Sequence, residues 1–120
     1  MRLRHIKGAE QLIEESPFVI HSPEENKGRW REVFGNDHPI EIEVGMGKGK
    51  FIMDLAAAHP DINYLGVERY SSVLLRALQK RSQLELANIF FLCIDAKEMA
   101  DYFAPGEISR IYLNFSDPWP

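Results

Sequence analysis

Ile40-Glu-Ile-Glu-Val-Gly-Met-Gly-Lys-Gly49 is the stretch that sets the architecture of this chain. Its first half is a run of β-branched residues with an acid, Glu43, near its end, and its second half places glycine at every second position. Helical spacing follows and stops at His59-Pro60, with apolar residues at Phe51, Ile52, Leu55 and Ala56. This order of strand, glycine turn and helix lets backbone N–H groups approach a nucleotide-like ligand closely.

The acid at Glu43 separates this stretch from a dinucleotide-binding fingerprint. That fingerprint has the spacing G-x-G-x-x-G, whereas this chain has E-x-G-x-G-x-G through Gly45, Gly47 and Gly49. A carboxylate at this place would repel a pyrophosphate, but it would attract an ammonium or a sulfonium group. S-adenosylmethionine carries both cations and no phosphate, so the stretch favours it as the cofactor.

The composition indicates a globular chain of one domain at most. Of its 120 residues 45% are hydrophobic and 27% are charged, and no apolar run approaches the roughly 18 residues of a membrane span. Cys93 is the single cysteine, which favours a reducing, cytoplasmic setting, and the apolar run around it predicts a buried thiol. The net charge of −4 does not predict the broad basic face of a nucleic-acid binder.

Alternating strand and helix patterns predict a parallel, doubly wound α/β sheet of the Rossmann type. Residues 1–38 form an N-terminal arm in this interpretation, with a short helix over 8–15 and an extended segment over 18–30, and the domain occupies 39–120. The predicted strands are 40–44, 63–67, 89–94 and 110–115, and the helices are 48–58, one that begins with Ser71 or Ser72 as its N-cap, and 97–103. In the second helix Leu74, Leu75, Ala77 and Leu78 are expected to be buried, and Arg76, Lys80 and Arg81 to face water.

The fourth strand would be an unprotected apolar edge if the sheet ended there. We therefore expect these 120 residues to be the N-terminal part of a longer protein. By the usual size of a domain, that protein would have roughly 200 residues.

An acid stands at or near the carboxyl end of each of the four predicted strands: Glu43, Glu68, Asp95 and Asp117. Ligands of open parallel sheets bind beyond these ends, so the four acids predict one site. An acid there can also simply cap the following helix, and this alternative stays open for Asp95.

The position of each acid predicts a different contact with the cofactor. Glu68 lies 23 residues after Gly45, close to the spacing at which an acid binds two ribose hydroxyls. Asp95 is placed to accept a hydrogen bond from the adenine amine, and Ala96 to offer its N–H to a ring nitrogen. Glu43 would attract the cationic end, and the glycines would allow the close approach that side chains block.

The tail Asn114-Phe-Ser-Asp-Pro-Trp-Pro120 predicts the acceptor site. Its two prolines fix the backbone and hold the Asp117 carboxylate beside the aromatic face of Trp119. An acid next to an aromatic surface suits a flat, hydrogen-bonding substrate such as a nucleobase. The alternative for Trp119 is packing against the rest of the protein.

Together these segments resemble the tRNA (guanine-N7)-methyltransferase family of bacteria. The resemblance rests on Ile42-Glu-Val-Gly-Met-Gly-Lys-Gly-Lys50, Asn63-Tyr-Leu-Gly-Val-Glu68, Asp95-Ala96 and, above all, Tyr112-Leu-Asn-Phe-Ser-Asp-Pro-Trp-Pro120, with Gly28-Arg-Trp30 and Val33-Phe-Gly-Asn-Asp37 in addition. It implies a Rossmann-like class I methyltransferase that uses S-adenosylmethionine, no metal and no membrane. It also implies tRNA as partner and a guanine of the variable loop as acceptor.

In the terms of that family, Glu43, Glu68 and Asp95 correspond to cofactor-binding acids. Asp117 corresponds to the acid at the catalytic centre, shared between cofactor and substrate. The Lys/Arg-rich stretch that the family has beyond Pro-Trp-Pro is absent from these 120 residues, which puts the activity of this piece alone in doubt. Two other classes stay open: a Rossmann methyltransferase that acts on a protein or small molecule, and a nicotinamide-dependent oxidoreductase.

Overall fold

The computed structural model of the chain describes residues 8–114 and centres on a parallel sheet. The four strands are hydrogen-bonded in the order β3-β2-β1-β4, which confirms the doubly wound arrangement. Their bounds are β1 Ile40–Val44, β2 Asn63–Val67, β3 Ile89–Leu92 and β4 Arg110–Leu113. The helices are α1 Ala9–Glu15, α2 Trp30–Phe34, α3 Lys50–Ala58 and α4 Ser71–Arg81, with 3-10 helices at Pro23–Asn26 and Ala96–Asp101.

The sheet has an apolar cluster on each face, because successive side chains of a strand point to opposite sides. On the face that carries α1, α3 and α4, here called the α3 face, the core includes Tyr64, Ile89 and Phe91. The opposite face holds Ile42, Leu65, Val67 and Leu92 around Trp30. Both faces are therefore covered along β1 to β3, whereas Ile111 and Leu113 of β4 are 53% and 63% exposed.

Strands β1 and β2 have the predicted bounds, but other elements are shorter than the sequence pattern suggests. Helix α3 begins at Lys50 instead of residue 48, because Gly47 and Gly49 have φ values of 60° and 81° and lie outside the helical region. Strand β3 ends at Leu92 instead of residue 94, and the predicted helix 97–103 is the 3-10 helix Ala96–Asp101.

Two predictions for α4 were wrong. Tyr70, and neither serine, is the N-cap, because its carbonyl accepts the N–H groups of Val73 and Leu74. Arg81 does not face water: its guanidinium donates to the carbonyls of Leu84 and Leu86 and lies 4.2 Å from the centre of the Phe18 ring. Those carbonyls supply the hydrogen bonds that a buried guanidinium requires.

Residues 8–38 are more structured than the predicted extended segment. Helix α1 begins at Ala9, one residue after the predicted start, because Gly8 is its N-cap, and it packs on α4. Residues 18–20 then follow the free edge of β3: Ile20 donates its N–H to the Phe91 carbonyl and Phe91 donates to the Phe18 carbonyl. Helix α2 was not predicted, because its pattern is only five residues long.

The carboxylate of Glu107 ties these early residues to the loop before β4. It accepts hydrogen bonds from the backbone N–H groups of Gly28 and Ala104 at 2.9 Å and of Trp30 at 3.0 Å. The fully buried Trp30 indole in turn donates to the Tyr102 carbonyl at 2.8 Å. The Gly28-Arg-Trp30 motif therefore has a structural role in this part of the chain.

Cys93 packs against the α3-face core as predicted, but its thiol is only partly buried. The reason is its place one residue beyond the end of β3. Burial, followed by the negative charges of Glu68 and Glu10, raises the pKa of this thiol above its ordinary value.

We expect Glu107→Ala in the full-length protein to lower the free energy of unfolding by about 2 to 3 kcal/mol, because three backbone donors lose a charged acceptor. Urea denaturation would measure the change. The control is Glu24→Ala, an exposed glutamate of the first 3-10 helix, which should change stability by less than about 0.5 kcal/mol. Equal effects of the two substitutions would contradict the structural role of Glu107.

Candidate functional site

Three of the four predicted site acids lie at one edge of the sheet. Glu43, Glu68 and Asp95 stand at or just beyond the carboxyl ends of β1, β2 and β3, which are neighbours in the sheet. The chain places β2 and β3 on one side of β1 and then β4 on its other side, so the strand order reverses beside β1. Open α/β sheets bind ligands at such a switch point. Asp117 and Trp119 lie outside the described residues.

The glycine turn depends on the left-handed backbone that only glycine adopts easily. Gly45, Gly47 and Gly49 have φ values of 75°, 60° and 81°. The N–H groups of Gly45 and Met46 both donate to the Val67 carbonyl, at 3.0 and 3.1 Å, so the turn is fastened to the end of β2. This geometry confirms the predicted turn. The contacts of its glycines with a ligand stay a prediction.

Glu68 joins the glycine turn to the start of α4. Its Oε1 accepts the N–H of Gly47 and its Oε2 accepts the N–H of Tyr70, both at 3.1 Å, and the residue is only 7% exposed. Its own N–H continues the ladder to the Leu92 carbonyl. Sequence reasoning predicted only a contact of Glu68 with the ribose, which stays a prediction, and missed its hydrogen bond to the glycine turn.

Glu43 is 1% exposed and lies on the α3 face beside β4. Its Oε2 accepts a hydrogen bond from Asn114 Nδ2 at 3.1 Å, while its buried Oε1 has no donor among residues 8–114. Burial raises the pKa of Glu43, and the Asn114 hydrogen bond partly offsets that rise. A buried carboxylate oxygen without a hydrogen-bond donor is energetically costly. Oε1 of Glu43 is therefore suited to receive a donor from a cationic group.

Asp95 caps the 3-10 helix that follows it, while its predicted contact with the adenine stays a prediction. Its Oδ1 accepts the Lys97 N–H at 3.0 Å, and Arg69 Nη1 lies 3.6 Å from Oδ2. The Lys97 hydrogen bond is the main reason that the pKa of Asp95 lies below its ordinary value, and Arg69 adds to it. Ala96 is exposed at the start of the same helix.

Gly66 of β2 is a further residue on which the site depends. A Cβ atom there would stand 2.3 Å from Met46 Sδ and 3.0 Å from Phe91 Cδ1. The Met46 side chain of the glycine turn therefore lies across β2 at the one position without a side chain. The available signal was a glycine inside a strand, which often marks a close approach.

The described part of the chain, residues 8–114, has no cluster of three or more His, Cys, Asp or Glu side chains able to hold a metal ion. None of its helices combines the length and the apolar character that crossing a membrane requires.

The sequence profile of one protein family, described as "Putative methyltransferase", matches residues 37–120. The chain belongs to this methyltransferase family. The matched range contains β1 to β4 and all the predicted site acids. Membership of the family disfavours the nicotinamide-dependent oxidoreductase.

Curated relatives match every residue of the chain. One from Lachnoclostridium phytofermentans (strain ATCC 700394 / DSM 18823 / ISDg), named tRNA (guanine-N(7)-)-methyltransferase, is 58% identical over 120 residues, which are 56% of its own length. Relatives of the same name from Geobacillus sp. (strain WCH70) and Streptococcus sanguinis (strain SK36) are 58% and 53% identical, and the match covers 55% and 57% of them. The chain thus spans about half the length of these relatives.

Solved methyltransferase structures share the fold. An antibiotic-related methyltransferase superposes with a TM-score of 0.60 at 23% identity, over 85% of this chain and 49% of that one. The antibiotic-resistance methyltransferase Kmr gives a TM-score of 0.56 at 25% identity, over 71% of this chain and 46% of its own. These likenesses confirm the Rossmann-like class I architecture for the strands present here.

We expect Gly66→Ala to destabilise the full-length protein by about 1 to 3 kcal/mol, because the new methyl group displaces Met46 and the buried Phe91 ring. Met46→Ala alone should cost about 2 to 5 kcal/mol through the cavity that it leaves.

In the double variant the new methyl group occupies space vacated by Met46. Its loss of stability in urea denaturation should therefore be smaller than the sum of the two single losses. Strict additivity would contradict the contact between these residues.

Proposed function

We propose that the full-length protein transfers a methyl group from S-adenosylmethionine to N7 of a guanine in tRNA. The observation that carries this proposal is the match of every residue to relatives of 51–58% identity that bear the name tRNA (guanine-N(7)-)-methyltransferase. We further propose a guanine of the variable loop as the acceptor and the cytoplasm as the place of action, as the sequence predicts.

The residues at the carboxyl edge fit this cofactor. Glu43 offers a buried carboxylate oxygen with no donor among the described residues, which suits the cationic end of the molecule. Glu68 at the end of β2 is assigned to the ribose hydroxyls, and Asp95 and Ala96 to the adenine. The glycine turn between β1 and α3 leaves room for close approach, since its glycines carry no side chain.

The chemistry needs little proton transfer from the protein. S-adenosylmethionine supplies a methyl group on a positively charged sulfur. N7 of guanine has an in-plane lone pair and no proton, so no general base is required to make it a nucleophile. The contribution of this chain is then orientation and electrostatic stabilisation.

In this proposal Asp117 accepts hydrogen bonds from the N1–H or the amino group of the guanine. Such bonds would fix the base, select it over adenine and favour the positive charge that develops on the purine. Trp119 would offer its ring to the base. Both roles rest on the sequence tail, because these residues lie outside the described part of the chain.

Methyl transfer from labelled S-adenosylmethionine to unmodified tRNA, with nucleoside analysis of the product, tests the proposed function. The full-length gene product is the enzyme to use, since these 120 residues match only about half of their relatives. Label at N7 of guanine supports the proposal. Label on protein or on a small molecule would instead support the other class of Rossmann methyltransferase, and methylation elsewhere on tRNA would refute the assigned position.

Asp117→Ala should lower the rate of methylation at least 100-fold, because the guanine loses its orienting acceptor. The affinity for S-adenosylmethionine, measured by calorimetric titration, should stay within a few-fold of the unmodified protein. Unchanged turnover would remove Asp117 from the mechanism.

Glu68→Ala should weaken the binding of S-adenosylmethionine at least tenfold, because the ribose loses its acceptor and the Gly47 N–H is left unpaired. Glu85→Ala, on the exposed loop after α4, is the control and should leave the affinity unchanged. Wild-type affinity of the Glu68 variant in calorimetry would rule out the ribose role.

A further inference from the structure

Strands β1 and β4 carry polar side chains on the α3 face, where an apolar sheet would carry aliphatic ones. Glu41 and Glu43 of β1 are 8% and 1% exposed, and both follow the pleat onto this face. The donors are Tyr112 of β4, whose hydroxyl donates to Glu41 Oε1 at 2.9 Å, and Asn114, the residue after β4, whose Nδ2 donates to Glu43 Oε2 at 3.1 Å. The Tyr112 bond is diagonal, because the backbone partner of Glu41 in the sheet is Arg110 and that of Tyr112 is Glu43. We call each of these two hydrogen bonds a rung. The second rung, from Asn114 to Glu43, lies at the carboxyl edge of the sheet.

The Asn114 rung fixes the orientation of the Glu43 carboxylate. An ionised carboxylate only accepts hydrogen bonds, so the Asn114 amide must present its NH2 group to Oε2. One oxygen of Glu43 is thereby occupied by Asn114, and the other, Oε1, is the buried atom without a donor among residues 8–114. Asn114 directly follows β4 and is the first residue of the tail that contains Asp117.

We infer that Asn114 is a positioning residue for the cofactor: by holding Oε2 of Glu43, it directs Oε1 to the cationic group of S-adenosylmethionine. This inference rests on the proposed function. It also connects donor and acceptor sites, because the same strand end that orients Glu43 leads directly into the Asp117 tail.

The Asn114 amide is important because the charged groups near Glu43 do not neutralise its carboxylate. Its neighbours on the α3 face include the acid Glu41 and the phenols Tyr64 and Tyr112, none of which neutralises a carboxylate. Glu68, just after β2, is a further acid at the same edge. Among nearby cations, Lys50 at the start of α3 is paired with Asp54, and Arg110 donates to the Tyr112 hydroxyl. A neutral hydrogen-bond donor therefore offsets the cost of the buried charge only in part.

The experiment uses Asn114→Leu, which keeps the size of the side chain but removes the donor. Calorimetric titration of the full-length protein should show about a tenfold loss of affinity for S-adenosylmethionine, equivalent to about 1.4 kcal/mol. Tyr112→Phe is the matched control, since it removes the same kind of bond from Glu41, the rung further from the edge. It should change the affinity less than twofold, and thermal unfolding would show that each variant folds.

A double-mutant cycle with Glu43→Gln tests whether Asn114 acts through Glu43. In that background Asn114→Leu should cost less than twofold, because the carboxylate that it positions is gone. A further tenfold loss would mean that Asn114 contacts the cofactor independently, and would overturn the positioning role.

The pH dependence of binding supplies a readout that a merely structural role would not move. Binding of the cation needs ionised Glu43, so affinity falls as the pH drops through the pKa of this group, which burial raises and Asn114 lowers. In Asn114→Leu the fall should begin at a higher pH than in the unmodified protein, whereas Tyr112→Phe should keep the original profile.

The outcomes separate this inference from the function on which it rests. If the unmodified protein binds S-adenosylmethionine and Asn114→Leu binds equally well with the same pH profile, the positioning role is wrong and the proposed function stands. If the unmodified protein does not bind it, the proposed function fails and the inference with it. A tenfold loss confined to Asn114→Leu and abolished by Glu43→Gln supports both.

Discussion

The burial of two carboxylates on one strand is the constraint from which the arrangement around the site follows. A buried charge is destabilising unless hydrogen-bond donors meet it, and β1 contains Glu41 and Glu43 in a run that is otherwise β-branched. Tyr112 of β4 donates to Glu41, and Asn114, the residue after β4, donates to Glu43. Hydrogen bonds between polar side chains thus add to the apolar contacts that hold β4 beside β1. The same pairing creates the switch point at the carboxyl edge.

The parts of the fold that sequence reasoning predicted are those with strong periodicity. Strands β1 and β2 have their expected bounds because a short apolar run between turn signals leaves little freedom. The start of α3 was misplaced because a pattern of apolar residues does not reveal left-handed glycine backbone. Arg81 was misplaced because helical periodicity cannot show that loop carbonyls and an aromatic ring will surround a charged residue.

Sequence reasoning predicted the acids of the candidate site but not the hydrogen-bond partners that hold them in place. The position of an acid after a strand is visible in sequence, and Glu43, Glu68 and Asp95 do share one edge. The hydrogen-bond partners of these acids were not visible, since they depend on which side chain or backbone N–H of a neighbouring segment comes within reach. Asn114 for Glu43 and Gly47 for Glu68 are of this kind. The roles of Asp117 and Trp119 remain predictions.

The strip formed by residues 18–20 has a consequence for how copies of this protein meet one another. A sheet edge with free N–H and C=O groups is a template for pairing with another chain. Here the Phe91 amide and carbonyl of β3 are already bonded to Phe18 and Ile20 of the same molecule. The early part of the chain thereby acts as a shield against edge-to-edge association at β3, a contribution to solubility that is independent of any ligand.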